Sequence, residues 1–477
     1  MRLRLRLRGL RLRLRRGRSL TLALKVAEKL KNIIPGLGWL HIEPSLDPPA
    51  PGLYHFTYQG NQESSHLHLR IEPDGNGLLL VNASRLVHLN PTAAFMSYLA
   101  LRGVTENQAI KTIKHCYDVP VSQARSDYRQ LITQIQELSR PDGACPVHDL
   151  DLDVTSPFSL TPSAPYRMDL AVTYRCNNDC SHCYNARPRS FTEISTEEWF
   201  AILDKLWEIG IPHVVFTGGE PTLREDLPRL ISHAQQNGQI TGINTNGRRL
   251  KDQRYLDALI QAGLDHVQIT LESHDEAIHD RMVRSKGAWE QTVAGLSNAL
   301  RSKLYVMTNT TLLTDNSLFL NETLDFLGEK GVPTVGLNAL IYSGRGLNSG
   351  QGLAEEKLGE LLTIAREKTQ AFGQKLIWYT PTQYCHFDPM QFELGVKGCT
   401  AALYNMCIEP NGDIIPCQSY YQAVGNILRD TWESIWNHDL CLHLRERKYI
   451  QAICQGCALL SECGGGCPLI LQAGREG

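Results

Sequence analysis

The feature that most limits how this chain can fold is a regular alternation, from residue 166 to residue 340, of short apolar runs with amphipathic stretches of helical period. YRMDLAVTY (166–174) reads as a strand and is followed by a helical pattern from Thr196 to Ile209 and strand HVVFTG (213–218). Then come helical Asp226 to Asn237, strand QITGINTN (239–246), helical Asp252 to Gln261 and strand HVQITLE (266–272). Helical Trp289 to Leu300, strand KLYVMTNTT (303–311), helical Ser317 to Glu329 and strand TVGLNAL (334–340) complete six β/α units. Such repetition predicts the α/β class, with a parallel sheet and right-handed crossovers curved into a partial (β/α)6 TIM-type barrel. Active sites in these barrels sit at the C-terminal strand ends, so the residues closing the strands are the candidates for chemistry.

Upstream the pattern differs. Residues 1–18 hold nine Arg and no acid, in a Leu/Arg alternation of period two that would give a strand one basic and one apolar face. They read as a basic low-complexity tail, either touching an anionic surface or without a structural role. Residues 19–60 pass from a helical pattern (Leu20 to Ile34) into Pro48, Pro49 and Pro51 and receive no function. HLHLRI (66–71), GLLLVNA (77–83) and RLVHLN (85–90) read as strands, the first two joined by a turn at Pro73 to Asn76. Helical patterns over Pro91 to Leu101, Thr105 to Tyr117 and Ser122 to Leu138 follow. Residues 61–142 thus form a winged-helix-like module, 143–165 a Pro-rich linker, 166–380 the barrel and 381–477 a Cys-rich domain. No transmembrane segment and no signal peptide are expected, because no apolar run is long enough, and the location is expected to be cytoplasmic. A net charge of −2 and the mixed signs along Ser122 to Leu138 argue against a nucleic-acid partner.

Ten of the 14 Cys fall into two compact groups, and close-spaced Cys in a reducing compartment more often bind metal than form disulfides. Cys176, Cys180 and Cys183 follow the first barrel strand as Cys-x3-Cys-x2-Cys. Three thiolates can ligate three irons of a [4Fe-4S] cube and leave the fourth open; a zinc site, with His182 as fourth ligand, is the alternative. Gly218-Gly219-Glu220 closes the second strand, where two glycines allow a close backbone approach and a carboxylate with exposed carbonyls suits an ammonium group. The second Cys group comprises Cys399, Cys407 and Cys417, with Gly412 before the last, and Cys454-x2-Cys457-x5-Cys463-x3-Cys467. A zinc ribbon is the competing reading of its last four Cys.

Motif, order and strand position together resemble the radical S-adenosylmethionine (SAM) superfamily, and the second Cys group resembles its SPASM extension. The resemblance implies that Cys176, Cys180 and Cys183 bind the SAM-chelating [4Fe-4S] cluster and that Gly218, Gly219 and Glu220 hold the methionyl amine. Asn246, Thr270 and Arg281 are further SAM contacts by the same resemblance, with ordinary loop roles as the alternative; at the fourth strand this chain has Thr270 and Glu272 where many relatives have Ser and Asp. An electron from a flavodoxin- or ferredoxin-like donor would cleave SAM to a 5′-deoxyadenosyl radical. Cys399, Cys407, Cys417 and Cys467 would bind a first auxiliary [4Fe-4S] cluster, and Cys454, Cys457 and Cys463 a second. The family's usual last Cys is not in the sequence, so the second cluster has another ligand, for which Cys441, Cys385 and a carboxylate such as Glu476 are candidates, or an open iron, or does not form. Residues 66–139, with Leu89 to Ala93 opening the first helix, resemble the PqqD-like element that binds a precursor (leader) peptide as an added strand; a degenerate winged helix used for packing or for DNA is the competing reading.

These expectations join into a radical SAM/SPASM maturase of ribosomally synthesised, post-translationally modified peptides (RiPPs), an oxidoreductase that abstracts hydrogen from a precursor peptide. The rivals are a sulfatase-type or tetrapyrrole-modifying radical SAM/SPASM enzyme, and a non-catalytic iron-sulfur carrier or scaffold.

Overall fold

The computed structural model describes residues 4–7, 10–13, 48–59, 64–82, 85–139 and 162–474. The helical pattern at 20–34, most of the linker and Glu476 lie outside the described residues. Within the basic tail, Arg4–Leu7 (β1) pairs antiparallel with Leu10–Arg13 (β2).

The N-terminal module is a four-stranded antiparallel sheet in the order β3-β4-β5-β6, one strand more than the sequence pattern predicts. The extra strand, Gly52–Gln59 (β3), follows the Pro run that hid it and pairs with Ser64–Ile71 (β4). Gly77–Val81 (β5) and Arg85–Leu89 (β6) complete the sheet through the turn at Pro73 to Asn76, where Asn76 N donates to the Asp74 carboxylate at 2.9 Å. Helices Pro91–Leu101, Glu106–Cys116 and Val121–Leu138 cover one face, burying Leu69, Leu79, Phe95, Ile113 and Tyr128 in a core of their own. Asn90 caps the first helix by accepting from Ala93 N at 2.8 Å, as a cap residue before Pro at the first helical position does.

The barrel strands are Arg167–Thr173 (β7), His213–Gly218 (β8), Ile240–Thr245 (β9), His266–Thr270 (β10), Tyr305–Thr311 (β11), Thr334–Asn338 (β12) and Lys375–Trp378 (β13). They pair in parallel in chain order, so the expected six units are exceeded by one. The seventh strand has only four residues and carries little pattern to read. The eight-residue helix Glu276–Val283, between β10 and the helix Ala288–Leu300, escapes the pattern for the same reason. The flanking helices are set by local signals: Ser195 and Glu198 form a capping box at the start of Thr196–Ile209, and Gly210 ends it at φ 98°.

The Cys-rich region is continuous with the barrel sheet. Asn405–Ile408 (β14) adds in parallel beside β7, pairing Met406 with Met168, and Asp413–Ile415 (β15) and Gly425–Asn426 (β16) extend it antiparallel. Among the described residues no helix is long and apolar enough to cross a membrane.

The N-terminal sheet is fixed to the barrel by buried polar groups. Arg70, 2% exposed, donates to Glu72 at 2.8 Å and to the carbonyls of Pro165 and Gly210 at 3.2 Å, and lies over the Tyr166 ring. Beside it His55 and His66 share a 3.0 Å hydrogen bond, and His68 bonds the Gly238 carbonyl at 2.7 Å. Burial, then the neighbouring His66, pushes His55 down to about 4, and burial pushes His68 down to about 3. Both are therefore neutral in the fold, whereas unfolded His titrates near pH ~6.5. Between those values the unfolded chain binds the extra protons, so stability falls as pH drops from about 6.5 toward about 4. The thermal midpoint is expected to drop from pH 7.5 to pH 5.5, and H68Q, which keeps a donor for Gly238 but cannot titrate, is expected to flatten that slope. Parallel slopes would exclude His68 as a source.

Candidate active site

The C-terminal ends of the barrel strands open into one cavity of about 890 Å³. Its wall includes Gly218, Thr245, Thr270, Thr311 and Asn338, the closing residues of β8 to β12. Cys176, Cys180 and Cys183 line it as well, on the loop that leaves β7.

That loop is held by its neighbours rather than by internal regular structure. Asp179 N and Ser181 N donate to the carbonyls of Val283 and Met282 at 2.9 Å, which anchors the loop on the helix Glu276–Val283. Arg248 reaches Asn177 O at 2.6 Å and Asn178 Oδ1 at 2.7 Å, Arg189 reaches Cys176 O at 3.0 Å, and Arg345 N donates to Cys183 O at 2.9 Å. Asn178 N donates to Cys176 Sγ at 3.4 Å. Burial, then Glu220, pushes the Cys176 thiol up to about 11, and burial, then Cys183, raises Cys180 well above the usual thiol range. Two neighbouring thiols held up in this way, Cys176 and Cys180, need a cationic partner to ionise together, which is the requirement an iron-sulfur cluster meets. The single-ion alternative fits poorly. Among the described residues no three His, Cys, Asp or Glu side chains converge on one metal-ion position, and His182 Nε2 is bonded to the buried Glu272 at 2.8 Å.

The Gly218-Gly219-Glu220 turn docks on the Cys loop. Gly219 N donates to Thr173 O and Glu220 N to Arg175 O, both at 2.8 Å. A Cβ on Gly218 would meet the Thr173 carbonyl and one on Gly219 the carbonyls of Tyr174 and Arg175, so both positions require glycine for this approach. Both line the cavity. Glu220 is turned away from it, 1% exposed, with every bond of its carboxylate spent inside the protein. Its Oε1 accepts from Thr222 N at 3.1 Å, Thr222 Oγ1 at 2.6 Å and Thr245 Oγ1 at 2.7 Å, and Oε2 from Asn246 N at 2.8 Å. The carboxylate therefore ties the end of β9 to the end of β8, and the cavity receives the glycine backbone.

Asn246 and Thr270 line the cavity, Asn246 through a 2.7 Å bond to Asn177 of the Cys loop. Arg281 does not: on the helix Glu276–Val283 the residues Ile278, His279, Met282 and Val283 face inward, which leaves Arg281 exposed on the outer side. Arg281 therefore stands apart from the cavity that Asn246 and Thr270 line. The Arg side chains that do line the cavity are Arg167, Arg187, Arg189 and Arg345. Arg189 follows the loop closely in sequence, but nothing in the spacing marks Arg345, or Arg248 behind the loop.

Cys399, Cys417 and Cys467 line the same cavity. Burial, then Cys467, raises Cys417 to about 12, and the Cys399 thiol is raised by burial and by the same two neighbours. Cys407 lies behind them on β14, packed with Ala171, Tyr174 and Ile415, and feels Asp169 before Cys417. Cys454 is half-buried, Cys457 exposed and Cys463 buried, none of them lining this cavity, and Cys441 is buried in the main core.

Residues 170–335 match the radical SAM superfamily and residues 399–458 match the SPASM iron-sulfur cluster-binding domain. Among curated proteins the chain is 33% identical over 207 residues to the Fe-coproporphyrin III synthase of Methanosarcina barkeri, which covers 43% of this chain and 51% of that protein. It therefore spans about half the length of that relative. It is 29% identical over 315 residues to the PqqA peptide cyclase of Gluconobacter oxydans, covering 64% of this chain and 86% of the cyclase. Among solved structures it resembles Streptococcus suis SuiB bound to S-adenosylmethionine, with a TM-score of 0.64, 18% identity, and 85% and 95% of the two chains covered. SuiB bound to its precursor peptide SuiA gives the same TM-score of 0.64 at 16% identity, covering 88% and 97%. At these identities the two structures share the fold. The chain carries a radical SAM domain followed by a SPASM domain, and its cofactors are SAM and [4Fe-4S] clusters.

Proposed function

We propose that the chain is a peptide maturase, an oxidoreductase that removes a hydrogen atom from a residue of a ribosomal precursor peptide. The observation that carries this reading is the composition of the cavity wall. Cys176, Cys180 and Cys183 share it with Cys399, Cys417 and Cys467, and Leu80 and Leu86 of the N-terminal sheet complete it. The names of the PqqA peptide cyclase and of the SuiB complex with SuiA support a peptide substrate.

In this reading Cys176, Cys180 and Cys183 hold the SAM-binding cluster. The backbone of Gly218 and Gly219, with Asn246 and Thr270, holds SAM, and Glu220 positions that backbone. When bound, the cluster and SAM supply one-electron cleavage of SAM to a 5′-deoxyadenosyl radical, with a flavodoxin- or ferredoxin-like donor providing the electron. The protein keeps the reacting groups in fixed positions by clamping the Cys loop from three sides with Arg189, Arg248 and Arg345. Cys399, Cys417 and Cys467, with Cys407 behind them, hold the first auxiliary cluster, and Cys454, Cys457 and Cys463 the second. A cytoplasmic location suits thiols and clusters of this kind.

The N-terminal module acts as a PqqD-like leader-binding element. Among the described residues strand β6 pairs on one side only, with β5, and Leu86 on it is 37% exposed. A leader added along this edge gains backbone hydrogen bonds and delivers the following segment to the cavity mouth. L86E is expected to raise the KM for the precursor about tenfold, equivalent to about 1.4 kcal/mol, and to leave peptide-independent SAM cleavage unchanged.

The test is anaerobic incubation with SAM, a reductant and the precursor peptide encoded beside this gene, read by mass spectrometry. A mass change in the core peptide supports the reading. Because the identity to the Fe-coproporphyrin III synthase is the higher of the two, iron-coproporphyrin is the second substrate to offer. Its conversion, with the peptide untouched, would replace the peptide reading.

A further inference from the structure

On β9 and β10 the side chains alternate between the main core and the cavity. Ile243, Val267 and Ile269 are buried in the core, while Asn244 and Gln268 line the cavity. Asn244 and Gln268 stand opposite each other in the parallel register of the two strands. Both are half-buried, and among the described residues neither carboxamide has a hydrogen-bond partner. Polar groups inside a fold are normally paired, so two neighbouring carboxamides without partners, facing one cavity, point to a ligand that pairs them. Asn246 and Thr270, the proposed SAM contacts, come two residues later in the chain, about 7 Å further along each strand. On the other side the lumen is closed. Gly242 has no side chain, and His266 of β10 lies over it to meet His213 of β8, Nε2 to Nε2 at 2.8 Å; a Cβ on Gly242 would strike the His266 ring. Burial pushes His266 down to about 4 and His213 well below the usual range, so this floor is uncharged at neutral pH. The charged groups that β7 brings to the cavity neutralise each other, Arg167 Nε donating to Asp169 Oδ1 at 2.7 Å.

We infer that Asn244 and Gln268 form the main-chain subsite for the substrate, one carboxamide accepting from the backbone N–H and the other donating to the backbone C=O of the target residue of the precursor peptide. This rests on the peptide-maturase reading. The chemistry of the pair selects the ligand. Each carboxamide offers a donor and an acceptor and no charge, and a peptide unit offers the same. In an extended chain the N–H and C=O of one residue point to the same side, so side chains on two adjacent strands, about 4.8 Å apart, can take one each. A carboxylate or an ammonium group would enter an uncharged compartment without a counter-charge, which is unfavourable. Held between the floor of His213 and His266 and the level of Asn246 and Thr270, the target residue lies next to the SAM site, and its side chain stays free of these two contacts.

The experiment uses the full reconstituted chain, the precursor peptide, and the near-isosteric variants Asn244→Leu and Gln268→Met. Each is expected to raise the KM for the precursor about tenfold, the effect of one hydrogen bond in a shielded site, while the KM for SAM stays at the parent value. Because neither carboxamide is bonded within the protein, the thermal midpoint of each variant is expected to equal or exceed that of the parent. A precursor carrying a backbone ester in place of the target residue's N–H, at the position located by mass spectrometry, is expected to lose about tenfold with the parent. With the variant that lacks the N–H acceptor, the ester is expected to cost nothing further. A parent indifferent to the ester overturns the inference, as does a native KM for the precursor in both variants. A KM for SAM that rises in step would give the two residues to SAM, and a lowered thermal midpoint in both variants would give them to the fold; either overturns it. Gln268→Glu with a lowered KM for the precursor would mean that the site takes a cation, which also overturns it. A parent that converts the peptide while the ester and both variants prove inert loses only this inference. A parent that converts no peptide loses the functional reading, and this subsite falls with it.

Discussion

Reconstituted and reduced under anaerobic conditions, the protein is expected to convert SAM to 5′-deoxyadenosine, and the Cys176→Ala/Cys180→Ala/Cys183→Ala variant to make none above the level of buffer. The three thiols are partly exposed to the cavity and contribute little to the hydrophobic core. The loop itself is retained by bonds that do not involve sulfur, from Asp179 N and Ser181 N to the helix Glu276–Val283 and from Arg248 to Asn177 and Asn178. The variant should therefore keep the circular dichroism spectrum of the parent and the iron held at 399–467. Loss of product with fold and auxiliary iron intact localises the chemistry to these three residues. Product formation by the folded variant would remove them from it, and no product from the fully loaded parent would leave the carrier or scaffold reading.

Glu220→Gln is expected to have the second-largest effect, and on two readouts at once. The native carboxylate accepts four hydrogen bonds, three on Oε1 and one on Oε2. Burial pushes this carboxyl up, and the bonds to Thr222, Asn246 and Thr245 pull against that push. An amide replaces one oxygen with an NH2 group, which must face either Asn246 N–H or the Thr222 and Thr245 donors. Donors then oppose donors in a buried site, a loss of about 1–3 kcal/mol, more where a charged acceptor is removed. Thr245 and Asn246 both line the cavity, so the strain reaches the proposed SAM site. The thermal midpoint should fall, and the KM for SAM should rise by about tenfold for each 1.4 kcal/mol transmitted. Glu220→Gln with native stability and a native KM would mean that the turn is positioned by its glycines alone.

The amine-binding role expected for Glu220 rests on its nearness to the Cys loop, which the fold bears out, but nearness does not reveal direction. Whether a carboxylate at a strand end faces a cavity or braces the next strand depends on the donors that the neighbouring strand presents. Here Thr222, Thr245 and Asn246 take all of it. Arg281 illustrates the same limit, because the sequence places it near the fourth strand while helical periodicity turns it outward.

What the sequence determined by itself is whatever depends on short separations. Strand and helix periods are local, and they mark six of the seven barrel strands and three of the four strands of the N-terminal sheet. Cys-x3-Cys-x2-Cys and Cys-x2-Cys-x5-Cys likewise bring their thiols together within a loop or a single turn. Tertiary structure alone decided which distant segments meet. It set Arg248 and Arg345 against the first Cys loop, joined β14 to the edge of β7, brought Cys399, Cys417 and Cys467 into the cavity that Cys176 lines, and laid Thr382 and Tyr384 against Cys463. Such encounters follow from how the helices pack and where the sheet ends, so no spacing along the chain encodes them.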